Sequence, residues 1–368
     1  MENLLKMQVA LNLMTSINSM KCKPFIEHFG GIEGLFMETP QGFEAGCKEF
    51  NLRPESVNRK KALKDAEKEL PYFEKFNIST CSFEDYSYPF LLHECYDSPL
   101  VFFYSGELLR KPAIYLAIVG TRKASERCRR ITEMVVQALS ECSEQVIIVS
   151  GLAFGIDCTA HKAALKYGMK TYAVLGHGLH TIYPSAHKNL ADQIVNESGC
   201  LLSEISCNTS IIPAYFLKRN RIIAGLSHAT FIAESALQGG SLSTARTANS
   251  YGRDILALPG RPEDRMSSGC NLLIKEQIAQ LVENGEDVIT HLGLHRIKKS
   301  DSMLELFPQD KEDVLLIMKA IRENSGIHID ELSQKIGLSV SQLSSTLIRL
   351  ELEDKIISLP ANCYMSKE

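Results

Sequence analysis

The apolar positions change their period along the chain. Up to about residue 75 they recur every three or four places, in Leu4–Ile17, Pro24–Phe29 and Lys60–Phe76, which predicts helices. From about 112 to 295 short β-branched runs alternate with longer helical patterns. The predicted strands are Tyr115–Val119, Val146–Val149, Thr171–Leu175, Cys200–Leu202, Ala229–Ala233 and Asp254–Leu258. The predicted helices are Ser125–Ser140, Asp157–Tyr167, Ala186–Glu197, Leu242–Tyr251 and Gly269–Val282, and Gly168, Gly199 and Gly252 stand where helices end. This alternation argues for an α/β chain with a parallel, doubly wound sheet. An aromatic, proline-punctuated lead-in, Cys81–Leu108, precedes it, and its VFFYSG run reads as an edge strand.

After the charged stretch HRIKKSDSMLELFPQD the period becomes helical again. Helices at Asp313–Ile321, Ile329–Ile336 and about Val340–Glu353, then a strand pair around KIISLPANCYM, give the pattern of a winged helix-turn-helix. Four zones follow: a helical domain at 1–78, the α/β core at 79–295, a linker at 296–309 and a winged-helix domain at 310–368. The helix from Val340 is poor in Arg and Lys, so duplex DNA and a packing or protein-contact role stand level for it. In the first zone HFGGIEGLF reads either as a helix–hairpin–helix turn meeting phosphate or as a plain helix–helix turn.

In an open parallel sheet, ligands bind outside the carboxyl ends of the strands. Here those ends carry GTRKAS (Gly120–Ser125), SGLAFGID (Ser150–Asp157), GHGLHTIYP (Gly176–Pro184), ESALQGGSLSTA (Glu234–Ala245) and PGRPED (Pro259–Asp264). Glycine brings backbone N–H groups to a ligand, hydroxyls cap helix starts, and helix N-termini favour anions. Arg122 and the cluster Lys218, Arg219 and Arg221 would add full charges to the same rim. A shared anion site is the expectation.

The chain has neither the G-x-G-x-x-G dinucleotide fingerprint nor a G-x-x-x-x-G-K-[ST] phosphate loop. Candidate acid–base groups are few. Asp157 reads as a helix cap and His161, four residues on, as a structural histidine. His177 and His180 have no Cys or carboxylate pattern beside them to make a metal site, and Glu234 suits orienting an arginine better than acting as a base. Cations, amides and hydroxyls beside one aromatic, Phe216, suit a nucleic-acid backbone with a stacked base, although Phe216 equally suits the core.

Composition narrows the class. The net charge is −4 over 368 residues, so any nucleic-acid contact is a local basic patch. The odd count of 11 cysteines, without a zinc spacing, reads as reduced, mostly buried thiols. No secretory signal or membrane-spanning run is read, so a soluble cytoplasmic protein is expected.

Taken in order, GTR, SGLAFGID, VLGHGLHTIYP, KRNRIIAGLS, ESALQGGSLSTARTA, GR-x5-PG and SGCNLLI resemble the DNA-processing protein A (DprA/Smf) family over about Phe83–Leu292. The resemblance implies an extended Rossmann-like core that binds single-stranded DNA, usually as a homodimer. It implies protection of incoming strands and loading of the RecA recombinase in natural transformation, without cofactor or turnover. DNA contact is carried over to Arg122, Ser150, Gly151, Phe216, Lys218, Arg219, Asn220, Arg221, Gly239, Gly240 and Ser241, with Lys188 a softer candidate. Two positions depart from the family pattern: Leu217 stands where a proline is usual, and His180 where an Asp is frequent. The alternative is a Rossmann-like nucleotide phosphoribohydrolase of the lysine-decarboxylase-like family. Those proteins carry P-G-G-x-G-T-x-x-E with a catalytic Glu, whereas QGGSLSTA has none at that place. A third reading, a transcription regulator working through the winged helix, is disfavoured by the few cations of Val340–Asp354.

Overall fold

The computed structural model describes residues 2–14, 19–54, 57–109, 111–297, 311–352 and 355–367. The chain divides into two compact units, 1–297 and 298–368. Of the stretch read as a linker, 296–309, all but the first two residues lie outside the described residues.

The first unit opens with helices α1 (Glu2–Leu13), α2 (Ser19–His28), α3 (Ile32–Met37), α4 (Pro40–Glu49) and α5 (Arg59–Lys75). Local chemistry sets their starts. The Thr39 hydroxyl accepts from the Gly42 N–H with Pro40 at the first helical position, and Asn58 caps α5 by accepting from Lys61.

The sheet strands and their helices follow: β1 (Ser79–Ser82), α6 (Phe90–His93), β2 (Val101–Gly106), β3 (Ile114–Gly120), α7 (Glu126–Ser140), β4 (Val146–Ser150), α8 (Ile156–Lys166), β5 (Thr171–Leu175), α9 (Lys188–Asn196), β6 (Cys200–Ser203), α10 (Pro213–Lys218), α11 (Asn220–Gly225), β7 (Ala229–Glu234), α12 (Gly240–Ser250), β8 (Asp254–Ala257), α13 (Ser268–Lys275), β9 (Gln280–Leu281) and α14 (Gly285–His291). They form one nine-stranded sheet in the order β1-β2-β6-β5-β4-β3-β7-β8-β9. The ladder is parallel from β6 to β9, while β2 runs antiparallel to β6 and β1 antiparallel to β2.

Two expectations are corrected. VFFYSG is not an edge strand, because Val101–Ser82 pairing places β1 outside it. The helix expected over Gly269–Val282 stops at Lys275, where Gln277 turns left-handed (φ 58°) and the chain enters β9.

Side-chain alternation feeds two cores. Leu116, Ile118 and Ile148 join one with α7, α8 and α14, while Ala117, Val119, Ile147 and Val149 join the other with the N-terminal helices, α11 and α12. Fully buried side chains such as Ile118 and Phe231 each contribute about 2 kcal/mol from burial. From β3 the chain winds through β4, β5 and β6 on one side, then returns to β7, β8 and β9 on the other. The reversal lies between β3 and β7, where such folds hold ligands.

The second unit comprises α15 (Lys311–Glu323), β10 (Ile327–His328), α16 (Ile329–Ile336), α17 (Val340–Leu352), β11 (Ile356–Leu359) and β12 (Cys363–Ser366). Its three strands pair β10-β12-β11 around a separate core of Ile317, Ile321, Leu332, Leu343, Leu347 and Ile356. Gly337, left-handed at φ 78°, makes the turn between α16 and α17.

Candidate functional site

At the strand-order reversal lies a crevice of about 830 Å³. Its walls are the turn after β3 (Gly120, Thr121, Arg122), Ala153 and Asp157 at the start of α8, the α10–α11 segment and the turn into α12. Arg122 is exposed, and no carboxylate pairs with it among the described residues. Gly239, Gly240 and Ser241 bring the start of the 11-residue α12 to the opposite wall. The Ser241 hydroxyl points inward and bonds the Ser235 hydroxyl at 2.8 Å, so the backbone amides, more than that oxygen, face the cavity. Phe216, half-buried, lines the floor with Tyr183 at 5.5 Å and His177 at 6.3 Å between ring centroids. Asn220 also lines the crevice and bonds the Gly240 carbonyl at 3.5 Å. Ile211, Ile212, Leu217 and Met266 make the remaining wall strongly apolar, which a count of cations in the sequence does not foretell.

The cationic run separates. Arg219 lines the crevice yet is buried, donating to the Val174 carbonyl at 2.6 Å and lying 3.6 Å from the Asp157 carboxylate. Lys218 and Arg221 do not share that rim. They line a second cavity, where Arg221 binds the Asp97 carbonyl at 2.6 Å and pairs with Glu204, and Lys218 lies 3.5 Å from the same carboxylate. The reason is helical geometry: positions 218 and 221 share a face, and 219 points about 100° away. The expectation of one joint rim is therefore corrected.

Ser150 and Gly151 sit beneath the crevice. The Ser150 hydroxyl donates to the Ile118 carbonyl at 2.6 Å. A Cβ on Gly151 would stand 1.5 Å from an Arg219 guanidinium nitrogen, so only glycine leaves that charge its seat. Lys188 is exposed at the start of α9 and outside the crevice wall.

Asp157, Glu234, His161 and His177 are committed to the fold. Burial pushes the Asp157 carboxyl above its ordinary range, opposed by Arg219 and by the Ala153 and Gly151 amides. Glu234 accepts from the Ser125 N–H at 2.8 Å and so anchors the turn before α7, in place of the arginine expected for it. His161 is buried within α8 against the Thr171 hydroxyl at 2.7 Å, not paired with Asp157, and burial drops it to about 3. His177 contacts the Gly178 carbonyl at 3.0 Å through Nδ1 and accepts from the Tyr183 N–H at 3.2 Å. No group of three or more His, Cys, Asp or Glu suited to a metal occurs among the described residues.

Sequence reasoning missed Glu69. This buried carboxylate of α5 accepts from the Ser206 hydroxyl and from the Cys207 and Asn208 amides at 2.8–3.0 Å, with the Asn208 side chain at 2.7 Å. It clamps the segment that leads from β6 into the crevice wall. Its only sequence signal is a Glu among apolar neighbours on a helix face.

A mostly parallel sheet with glycine-rich turns at its strand-order reversal, in a chain with a second helix–wing unit, defines a Rossmann-like α/β protein. The chain belongs to the DprA/Smf family: the profile of DNA recombination-mediator protein A matches residues 79–293, and that of the DprA winged helix domain matches 309–362. It is 43% identical over 224 residues to the DNA processing protein DprA of Streptococcus pneumoniae, covering 60% of this chain and 75% of the relative. To Protein Smf of Escherichia coli it is 35% identical over 302 residues, covering 81% and 80%. The X-ray structure of the Streptococcus pneumoniae protein superposes with a TM-score of 0.64 at 34% identity, over 77% of this chain and 95% of that one. A structure of Helicobacter pylori DNA processing protein A, concerned with its single-stranded DNA binding mode, superposes at 0.52 with 31% identity, over 59% and 96%. The chain is thus a DNA-processing, recombination-mediator protein by family. Among the described residues no helix is long and apolar enough to cross a membrane.

Proposed function

We propose that the crevice holds single-stranded DNA without turning it over, and that the chain protects incoming strands and loads RecA recombinase onto them as a cytoplasmic homodimer. One observation carries this: the crevice joins the exposed Arg122, the amide-rich start of α12 and the half-buried Phe216 in one apolar-walled cavity. Such a wall suits phosphates on one side and bases on the other. The neighbouring carboxylates, Asp157 and Glu234, hold Arg219 and the turn before α7, which speaks against hydrolytic work. The single-strand binding of the Helicobacter pylori relative supports the same reading.

Direct contact then falls to Arg122, Phe216, Asn220, Gly239 and Gly240. Ser150, Gly151, Arg219 and Ser241 position them, Lys188 extends the path, and Lys218 and Arg221 act from the neighbouring cavity. Fluorescence anisotropy with an oligothymidylate tests this. Binding should exceed that of a duplex of equal length and fall linearly in log K against log salt. Arg122→Ala should weaken it across sequences by about tenfold and make the salt slope about one unit shallower. An affinity indifferent to strandedness and salt, or free base released from nucleoside monophosphates, would overturn the proposal. RecA filament formation on protein-coated single strands, with and without the chain, tests the loading step.

A further inference from the structure

The loop Ser150–Asp157 ends in a feature that the crevice does not use. Phe154 is 50% exposed and lies outside the cavity wall, whereas its neighbour Ala153 lies in it. The loop around it is held firmly. Leu152, fully buried, adopts the left-handed region (φ 57°), and Gly155 does so too (φ 80°). A Cβ on Gly155 would stand 2.2 Å from the Thr121 carbonyl, so glycine lets this loop close on the turn that carries Arg122. Non-glycine residues rarely accept such a backbone, and they collect at functional loops. On its other side the Phe154 ring meets His187, with centroids 4.7 Å apart and planes at 65°. His187 is fixed in turn by a 2.8 Å contact from Nδ1 to the Leu152 carbonyl.

The ring is therefore presented, not loosely exposed. Lys188 follows His187 at the start of α9, and Arg122 and Lys123 stand on the turn beyond Gly155. All three cations are exposed, and among the described residues none is in an ion pair. Single exposed apolar side chains need no explanation. A rigidly held aromatic between cations, beside a crevice that takes phosphate, matches how unpaired strands are gripped: bases stack on rings while the backbone follows the charges.

We propose that Phe154 is a stacking platform for an unpaired nucleobase, extending the single-strand path out of the crevice between Arg122 and Lys188. This rests on the crevice binding single-stranded DNA. Three arms of one experiment test it. In the first, the wild-type chain is titrated with oligothymidylate. In the second, Phe154→Ala should bind about fivefold to thirtyfold more weakly with an unchanged salt slope, since the lost contact carries no charge. The third uses the fact that the chain has no tryptophan. Phe154→Trp is then the sole indole, and it should keep its affinity and lose emission when oligonucleotide is added. Phe154→Ala binding within about twofold of wild type, or indole emission unchanged at saturation, overturns the stacking role while leaving the crevice standing. Failure of the wild type to bind overturns both. If the alanine variant does not fold, the indole signal decides alone.

Discussion

Arg219 shows how a charge read from the sequence acquires its role from what surrounds it. In KRNR it is one cation among three, yet only this one turns inward, over Gly151 and against Asp157. The type and number of charges were legible in the sequence. Which faced the crevice was not, although the helical period already separates position 219 from 218 and 221. His161 gives this scale its prediction. Its imidazole is buried and neutral, at about 3 against an ordinary 6.5, so between those values the unfolded chain binds a proton that the native chain refuses. Stability is fully present above about pH 6.5 and falls on acidification, by up to about 1.4 kcal/mol for each pH unit. Burial lowers His177 and His228 as well and adds to the slope. Thermal melts from pH 7.5 to 4.5 should show the midpoint falling, and His161→Gln should flatten the fall. An equally steep decline in the variant would remove His161 as the cause.

At the level of elements, the alternation of strand and helix was open to reading because each long helix has one apolar face and each central strand feeds two cores. The short pieces were not. β1 is four residues with no run of β-branched side chains, and β9 is two residues. Both exist because a distant strand offers them a ladder, which local pattern cannot reveal. The same holds for the hold of α5 on the crevice. Glu69 grips the 206–208 segment, while Tyr72 and Phe76 of α5 and its C-cap pack on His180 in the loop after β5, at 5.5 and 6.4 Å. Two crevice loops thus rest on one N-terminal helix. Glu69→Ala leaves several donors unmatched and should lower stability by about 2–4 kcal/mol. It should also speed hydrogen exchange at the Cys207 and Asn208 amides and weaken oligonucleotide binding. Amides as protected as in the wild type would show that something else holds the segment.

For the molecule as a whole, two units that share no core imply parts that can be separated. Residues 311–367 bury their own Ile and Leu cluster, and the crevice belongs entirely to the first unit. A fragment of residues 298–368 should melt cooperatively by circular dichroism, and one of residues 1–297 should keep the affinity of the full chain for oligothymidylate within about threefold. A tenfold loss in the shorter chain would move part of the binding to the winged-helix unit. The order of the strands carries a temporal consequence. β3 meets β7 only across 113 positions of sequence, Leu116 to Ala229, so a chain emerging from the ribosome carries Arg122 long before the wall opposite it exists. Nascent chains halted short of α12 (Gly240–Ser250) hold half a groove, so on the proposed function polysomes would leave nearby unpaired DNA alone until that helix has emerged.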